Sequence, residues 1–190
     1  MKKLFSVFLL AAALLIGIAP VANAQTRGSL TADEANALLH HTLGAWQIDA
    51  LTWQPWQHKF ASVKGKASFS RVDEGGVREQ LSVRQPDGSV EKMEGILRYS
   101  AQNKRFEYMQ LDRKGNTTQI LFGHWNPNFS MILFEPARGR KQAARQVLWQ
   151  YFFFDDGSFK KVIRTPDGNG NHIIAAEFHC QQPKVADVKR

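Results

Sequence analysis

Between Val77 and Tyr99 apolar and polar residues change places at almost every step. Val77, Glu79, Leu81 and Val83 alternate with Arg78, Gln80, Ser82 and Arg84; Met93, Gly95, Leu97 and Tyr99 alternate with Lys92, Glu94, Ile96 and Arg98. Extended chain sends successive side chains to opposite faces, so each run reads as a strand with one face buried and the other wet. The same reasoning predicts ten strands, at about 43–52, 59–72, 76–84, 90–99, 105–112, 117–125, 129–135, 143–155, 158–165 and 171–181. Turn-forming residues fall between them, among them Pro86-Asp87-Gly88, Lys114-Gly115-Asn116, Asn126-Pro127-Asn128, Asp156-Gly157 and Pro166-Asp167-Gly168. One helix is predicted ahead of the strands, at about 31–41. It opens on the capping box Thr31-Ala-Asp-Glu34 and is ended by Gly44.

Connections of hairpin length join antiparallel neighbours, whereas parallel pairs need long crossovers for which no helical segment is available. A ten-stranded meander without covering helices would expose two edges and one whole face. Closing it removes the edges and buries that face. The fold class predicted is therefore all-β: an antiparallel up-and-down barrel of about ten strands with a short N-terminal helix. A single domain is expected over 25–182, followed by a disordered basic tail at 183–190.

The first 24 residues stand apart from this pattern. Lys2 and Lys3 precede an apolar run from Leu4 to Ile18, and Ala22-Asn23-Ala24 supplies a small-x-small site, the three parts of a secretory signal peptide. Cleavage is expected between Ala24 and Gln25, leaving a periplasmic or secreted protein with no transmembrane segment in its mature form. Residue 25 is not Cys, which argues against a lipid anchor. Loss of Lys2 and Lys3 takes the formal charge from +8 to +6. Such a surface suits anionic partners, but export argues against nucleic acid, and the basic run Arg138, Arg140, Lys141 and Arg145 reads first as a solvated loop. A lone cysteine, Cys180, excludes an internal disulfide and any multi-cysteine metal site.

Gly44-Ala45-Trp46, at the junction of helix and first strand, resembles the Gly-x-Trp opening of lipocalin-like (calycin) barrels. Glu94-Gly95-Ile-Leu-Arg-Tyr99-Ser100, followed by Lys104-Arg-Phe106, is similar to a Gly-x-x-x-Tyr strand, turn and aromatic strand in a bacterial lipocalin-like family of unknown function. The likeness spans about residues 33–180. It implies a ten-stranded barrel with Trp46 plugging one end, and carries no catalytic residues to transfer. The Thr-Asp-Tyr segment of true lipocalins and the long glycine-rich opening of the haem-binding nitrobindins are absent. The arginine that true lipocalins set over the Trp is not fixed by spacing here, with Arg164 a candidate.

Glu79 is the polar residue out of place, since it shares the apolar phase of Val77, Leu81 and Val83. A carboxylate in an apolar lumen needs a partner, and such groups gather at binding sites. Aromatic residues at strand positions, including Trp46, Tyr99, Phe106, Tyr108, Phe122, Trp125, Trp149, Tyr151 and Phe153, either fill the core or line a cavity. A ten-stranded barrel is wider than the eight-stranded kind that side chains nearly fill. The function expected is binding of a small apolar or amphipathic molecule in the lumen, by Trp46, Glu79, Tyr99, Tyr108, His124, Trp149 and Tyr151. No cofactor is expected. The alternatives are a hydrolase or isomerase using a lumen carboxylate and histidine, and a haem-binding barrel with His124, His172 or His179 as ligand. Asp167-Gly-Asn169-Gly-Asn171 has the oxygen pattern of a calcium loop but reads more simply as a hairpin turn. No Gly-x-Ser-x-Gly motif occurs, and Cys180 reads as a small core residue.

Overall fold

The computed structural model describes residues 30–137 and 147–183. The leader read at 1–24, the cationic run within 138–145, the start of the strand read at 143–155 and the tail beyond Pro183 lie outside the described residues. Helix α1 (Ala32–His40) precedes ten strands: β1 (Gly44–Gln54), β2 (Lys59–Arg71), β3 (Val77–Arg84), β4 (Val90–Ser100), β5 (Arg105–Leu111), β6 (Thr117–Asn126), β7 (Met131–Pro136), β8 (Leu148–Phe153), β9 (Phe159–Pro166) and β10 (His172–Gln181). Every strand pairs antiparallel with its neighbours in sequence, and β10 closes on β1, Ile48 facing Cys180 and Ala50 facing Phe178. The wall is a closed up-and-down barrel.

Local chemistry explains the boundaries. The Thr31 hydroxyl accepts from the Glu34 amide while the Glu34 carboxylate accepts from the Thr31 amide, so the capping box starts α1 as read. Strand β7 begins later than the alternation suggests. Pro127–Phe129 form a 3₁₀ turn capped by the Asn126 side chain, and Ser130 sits at φ 45° before the chain extends. Strand β8 stops at Phe153 because Phe154–Ser158 close a tight turn, in which Asp156 accepts from the Ser158 amide.

The two ends of the barrel differ. Where β1 begins, α1 buries Ala35 and Leu39 against the barrel core, and Leu30, Leu38 and Leu43 pack beside them. Trp46 fills this end. Its indole N–H donates to the Thr42 carbonyl at 2.7 Å, and its ring meets Phe159 edge-on at 4.8 Å. The Tyr99 hydroxyl donates to the Leu30 carbonyl at 3.0 Å, tying the chain ahead of α1 to β4. At the opposite end the inward positions Gln54, Ala61, Met93, Gln110, Ile163 and Ala176 are only half-buried. The inward side chains are thus packed shut under the helix and partly exposed at the far mouth. No helix among the described residues is long and apolar enough to cross a membrane.

Candidate functional site

A cluster of four polar side chains crosses the middle of the apolar lumen. Glu79 lies on β3 between Phe69 of β2 and Gly95 of β4. Lys161 lies on β9, four strands away around the wall, opposite Tyr151 of β8. One carboxylate oxygen of Glu79, Oε2, accepts from Lys161 Nζ at 2.8 Å, the Tyr108 hydroxyl at 2.8 Å and the Tyr151 hydroxyl at 2.9 Å. Glu79 and Lys161 are both 0% exposed. The ammonium also lies 4.3 Å from the centre of the Trp149 ring, 4.9 Å from that of Tyr108 and 5.3 Å from that of Tyr151. A cation stripped of water gains back part of its hydration from such ring faces. The second carboxylate oxygen, Oε1, is buried and has no hydrogen-bond partner.

The electrostatics follow from burial. Desolvation pushes the Lys161 ammonium below the usual lysine range, and the Glu79 charge beside it opposes that shift. Burial, reinforced by the same carboxylate, drives both tyrosine hydroxyls well above their ordinary range, so they stay protonated and act as donors. The buried Cys180 thiol is likewise raised, by burial and then by Glu79. It is not a thiolate near neutral pH, and the core-residue reading of Cys180 agrees with its burial.

Gly95 makes the cluster possible. A Cβ there would overlap the Tyr108 hydroxyl and the ring carbon that bears it. Gly95→Ala should therefore push the ring off Glu79 and cost roughly 1–3 kcal/mol as an overpacked core does. Urea unfolding of the variant measures this, and a change under about 0.5 kcal/mol, the range of a neutral surface substitution, would show that the ring has room elsewhere.

Of the seven residues expected in the lumen site, the structure brings Glu79, Tyr108, Trp149 and Tyr151 together. Trp46 and Tyr99 also face inward, but at the closed end, where each polar atom is bonded to backbone. His124 requires correction. Leu121 and Gly123 are the buried positions of β6, so Ile120, Phe122 and His124 take the outer face and His124 is exposed. Phe122 is outside for the same reason and carries the Arg105 guanidinium 3.4 Å from its ring centre. Arg164 is not over Trp46: it donates to Gln150 at 2.8 Å on the mouth half of β9. His179 packs edge-on against Phe154 at the outer surface. Asp167 accepts from the Asn169 and Asn171 amides, the bonding of a hairpin turn. Among the described residues no group of three or more His, Cys, Asp or Glu could hold a metal ion.

Lys161 went unread in the sequence. It occupies the apolar phase of Phe159 and Ile163, the same signal that singled out Glu79, but adjacent Lys160 obscures the alternation. A concavity of about 1350 Å³ lies elsewhere, across the β1–β5 wall. Its lining combines outward residues of two adjacent register rows, Gln47, Lys66, Ser82 and Lys92 in one and Gln80 and Glu94 in the next, with the inward residues Leu81 and Met93, and includes no member of the Glu79 cluster.

The fold and site together define a closed ten-stranded antiparallel barrel whose apolar interior holds a buried glutamate–lysine pair. No protein-family model matches the chain, and no curated protein matches it.

Proposed function

We propose that this is an exported, lipocalin-like barrel that binds a small amphipathic molecule through its open mouth. The polar end of the ligand donates a hydrogen bond to Glu79. The carrying observation is Glu79 Oε1, a carboxylate oxygen without a partner in a lumen where every other member of the cluster is bonded. Buried polar atoms in folded proteins are almost always paired, so an orphan acceptor calls for a donor from outside the chain. The half-buried inward residues Met93, Ile163 and Ala176 supply the apolar wall a ligand needs between the mouth and the cluster. Oε1 is closed to bulk solvent, so a ligand that reaches it displaces side chains packed on the cluster, with Trp149 among them. The chemistry fits an alcohol or amine on an apolar body. The leader at 1–24 supports export, and the Gly44-Ala45-Trp46 opening supports the family likeness.

Titration with 1-aminoanthracene, an apolar fluorophore carrying an N–H donor, tests the reading. Wild type should bind one dye per barrel, saturably. Ala176→Phe, which fills the lumen beside Thr52 and Ile163, should weaken binding by tenfold or more. The double variant Glu79→Gln/Lys161→Met removes both charges together. It should weaken binding by about tenfold, the worth of one hydrogen bond to a charged acceptor. Absence of saturable binding to the folded wild type, or an Ala176→Phe barrel that binds as well, would remove the proposal. Loss in Ala176→Phe with unchanged affinity in the double variant would confine the ligand to the mouth and leave Glu79 a structural role.

A further inference from the structure

The hairpin joining β1 and β2 extends beyond the wall that the other strands build. Strand β1 pairs with β10 only as far as Thr52, and β2 pairs with β3 only from Gly65 onward. Among the described residues, Trp53 and Gln54 therefore have no ladder partner on the β10 side, and Lys59–Lys64 have none on the β3 side. What remains is a two-stranded ribbon at the mouth, held by its own ladder from Ala61–Thr52 to Lys59–Gln54. Trp53 meets Phe60 edge-on at 5.2 Å and His58 at 6.4 Å.

This ribbon is apolar where it is most exposed. Trp56 at its tip is 81% exposed, and Leu51, Phe60 and, at the start of β10, Ile173 are each more than two-fifths exposed. An isolated ribbon of this kind is marginally stable in water, and clustered exposed aromatics mark a contact surface. Its charge is one-sided. No carboxylate occurs between Asp49 and Asp73, while Lys59 and Lys66 fall in that interval; Lys64 is paired with Asp49 across the ladder, and Arg71 lies at the far end of β2. Aromatic side chains at a tip, with lysines behind them, match the boundary of a bilayer with anionic headgroups. There indole rings sit at headgroup level and lysines meet phosphate. A second copy of the chain is disfavoured, because edge-to-edge pairing of two such ribbons would set the lysine-bearing β2 edge of one, Lys59 foremost, against that of the other.

We propose that the β1–β2 ribbon docks the barrel, mouth first, on an anionic phospholipid bilayer, with Trp56 and Phe60 entering the headgroup layer. This inference stands apart from the lumen reading, since it needs no ligand in the barrel. The test is flotation of the purified full chain with vesicles of phosphatidylcholine and phosphatidylglycerol at 3:1, against phosphatidylcholine alone. Every arm carries the same N-terminus, so the apolar run at 4–18 contributes equally and cannot create a difference between variants. Wild type should bind the anionic vesicles at least tenfold more tightly than the neutral ones, and half-molar salt should weaken this binding, since salt screens exposed charges. Trp56→Ser/Phe60→Ser and, separately, Lys59→Glu/Lys66→Glu should each lose tenfold or more in affinity while circular dichroism and melting temperature stay at wild-type values. Brominated lipid should quench the wild type more than Trp56→Phe. Equal binding by wild type and the Trp56/Phe60 variant, or binding to neither vesicle, would overturn the proposal. So would a concentration-dependent dimer, seen by light scattering, that the same variant abolishes, because a second copy would then cover the ribbon.

Discussion

Lys161→Met should destabilise the barrel by about 3–5 kcal/mol, the cost measured when one member of a buried ion pair is removed. For a domain of this size that corresponds to a fall of about 6–20 °C in melting temperature. The size comes from what is left behind. Glu79 keeps the Tyr108 and Tyr151 hydroxyls on Oε2, but its charge no longer has a counterion, and burial denies it water. Glu79→Gln/Lys161→Met should recover at least half of the loss, since replacing both charges of a buried pair with neutral groups of like volume is often nearly neutral. Urea unfolding of wild type, both single variants and the double variant closes the cycle. A loss below about 1 kcal/mol for Lys161→Met, the ceiling for an exposed ion pair, would mean that water reaches the pair.

The reverse variant, Glu79→Gln, strands the ammonium instead. Burial already holds Lys161 below its ordinary range. A lysine with a folded pKa below its unfolded value of about 10.4 binds its proton more readily when unfolded, so stability rises with pH through that interval. The deficit of Glu79→Gln should therefore shrink as pH is raised from 7 towards about 10.

Trp46→Ala should cost about 3–5 kcal/mol, the range for large aromatic truncation in a packed core. Trp46 is 3% exposed and joins three parts of the closed end at once: the α1–β1 connection through Thr42, the Phe159 ring on β9, and through Phe159 the Phe69 ring on β2. Truncation leaves a cavity there and an unpaired Thr42 carbonyl. Tyr99→Phe is the control, because it removes only the hydroxyl bond to Leu30 and should cost about 0.5–1.5 kcal/mol, the net worth of a single neutral hydrogen bond. If Trp46→Ala costs no more than Tyr99→Phe, the indole does not carry the closed end. The likeness to Gly-x-Trp barrels at Gly44-Ala45-Trp46 would then lose its physical meaning.

The ten strands and their antiparallel order could be read because a strand half in water and half in the core must alternate, and because the turns between the runs are too short for any other connection. The capping box of α1 was equally local, involving Thr31 and Glu34 three residues apart. Glu79 was legible as an anomaly by the same rule, a polar residue in the phase of Val77 and Leu81. Alternation also misled wherever both phases were apolar. In β6, Ile120 and Phe122 share the strand with Leu121, Gly123 and Trp125, and only closure of the wall showed which set faces the lumen, putting His124 outside.

The partner of Glu79 was beyond any such reading. Lys161 is 82 residues away in sequence, and the two meet only because β10 closes on β1 and carries β9 round to face β3. The role of Gly95 is of the same kind: its missing side chain matters because Tyr108, on the neighbouring strand, needs that volume. The bareness of the β1–β2 ribbon likewise depends on where β3 and β10 stop pairing, which is a property of the sheet. Face, turn and cap are decided by residues within a few positions of one another. Burial of a charge, its counterion and an unpaired edge are decided by what the closed wall brings opposite, because only closure removes water from both sides of the contact.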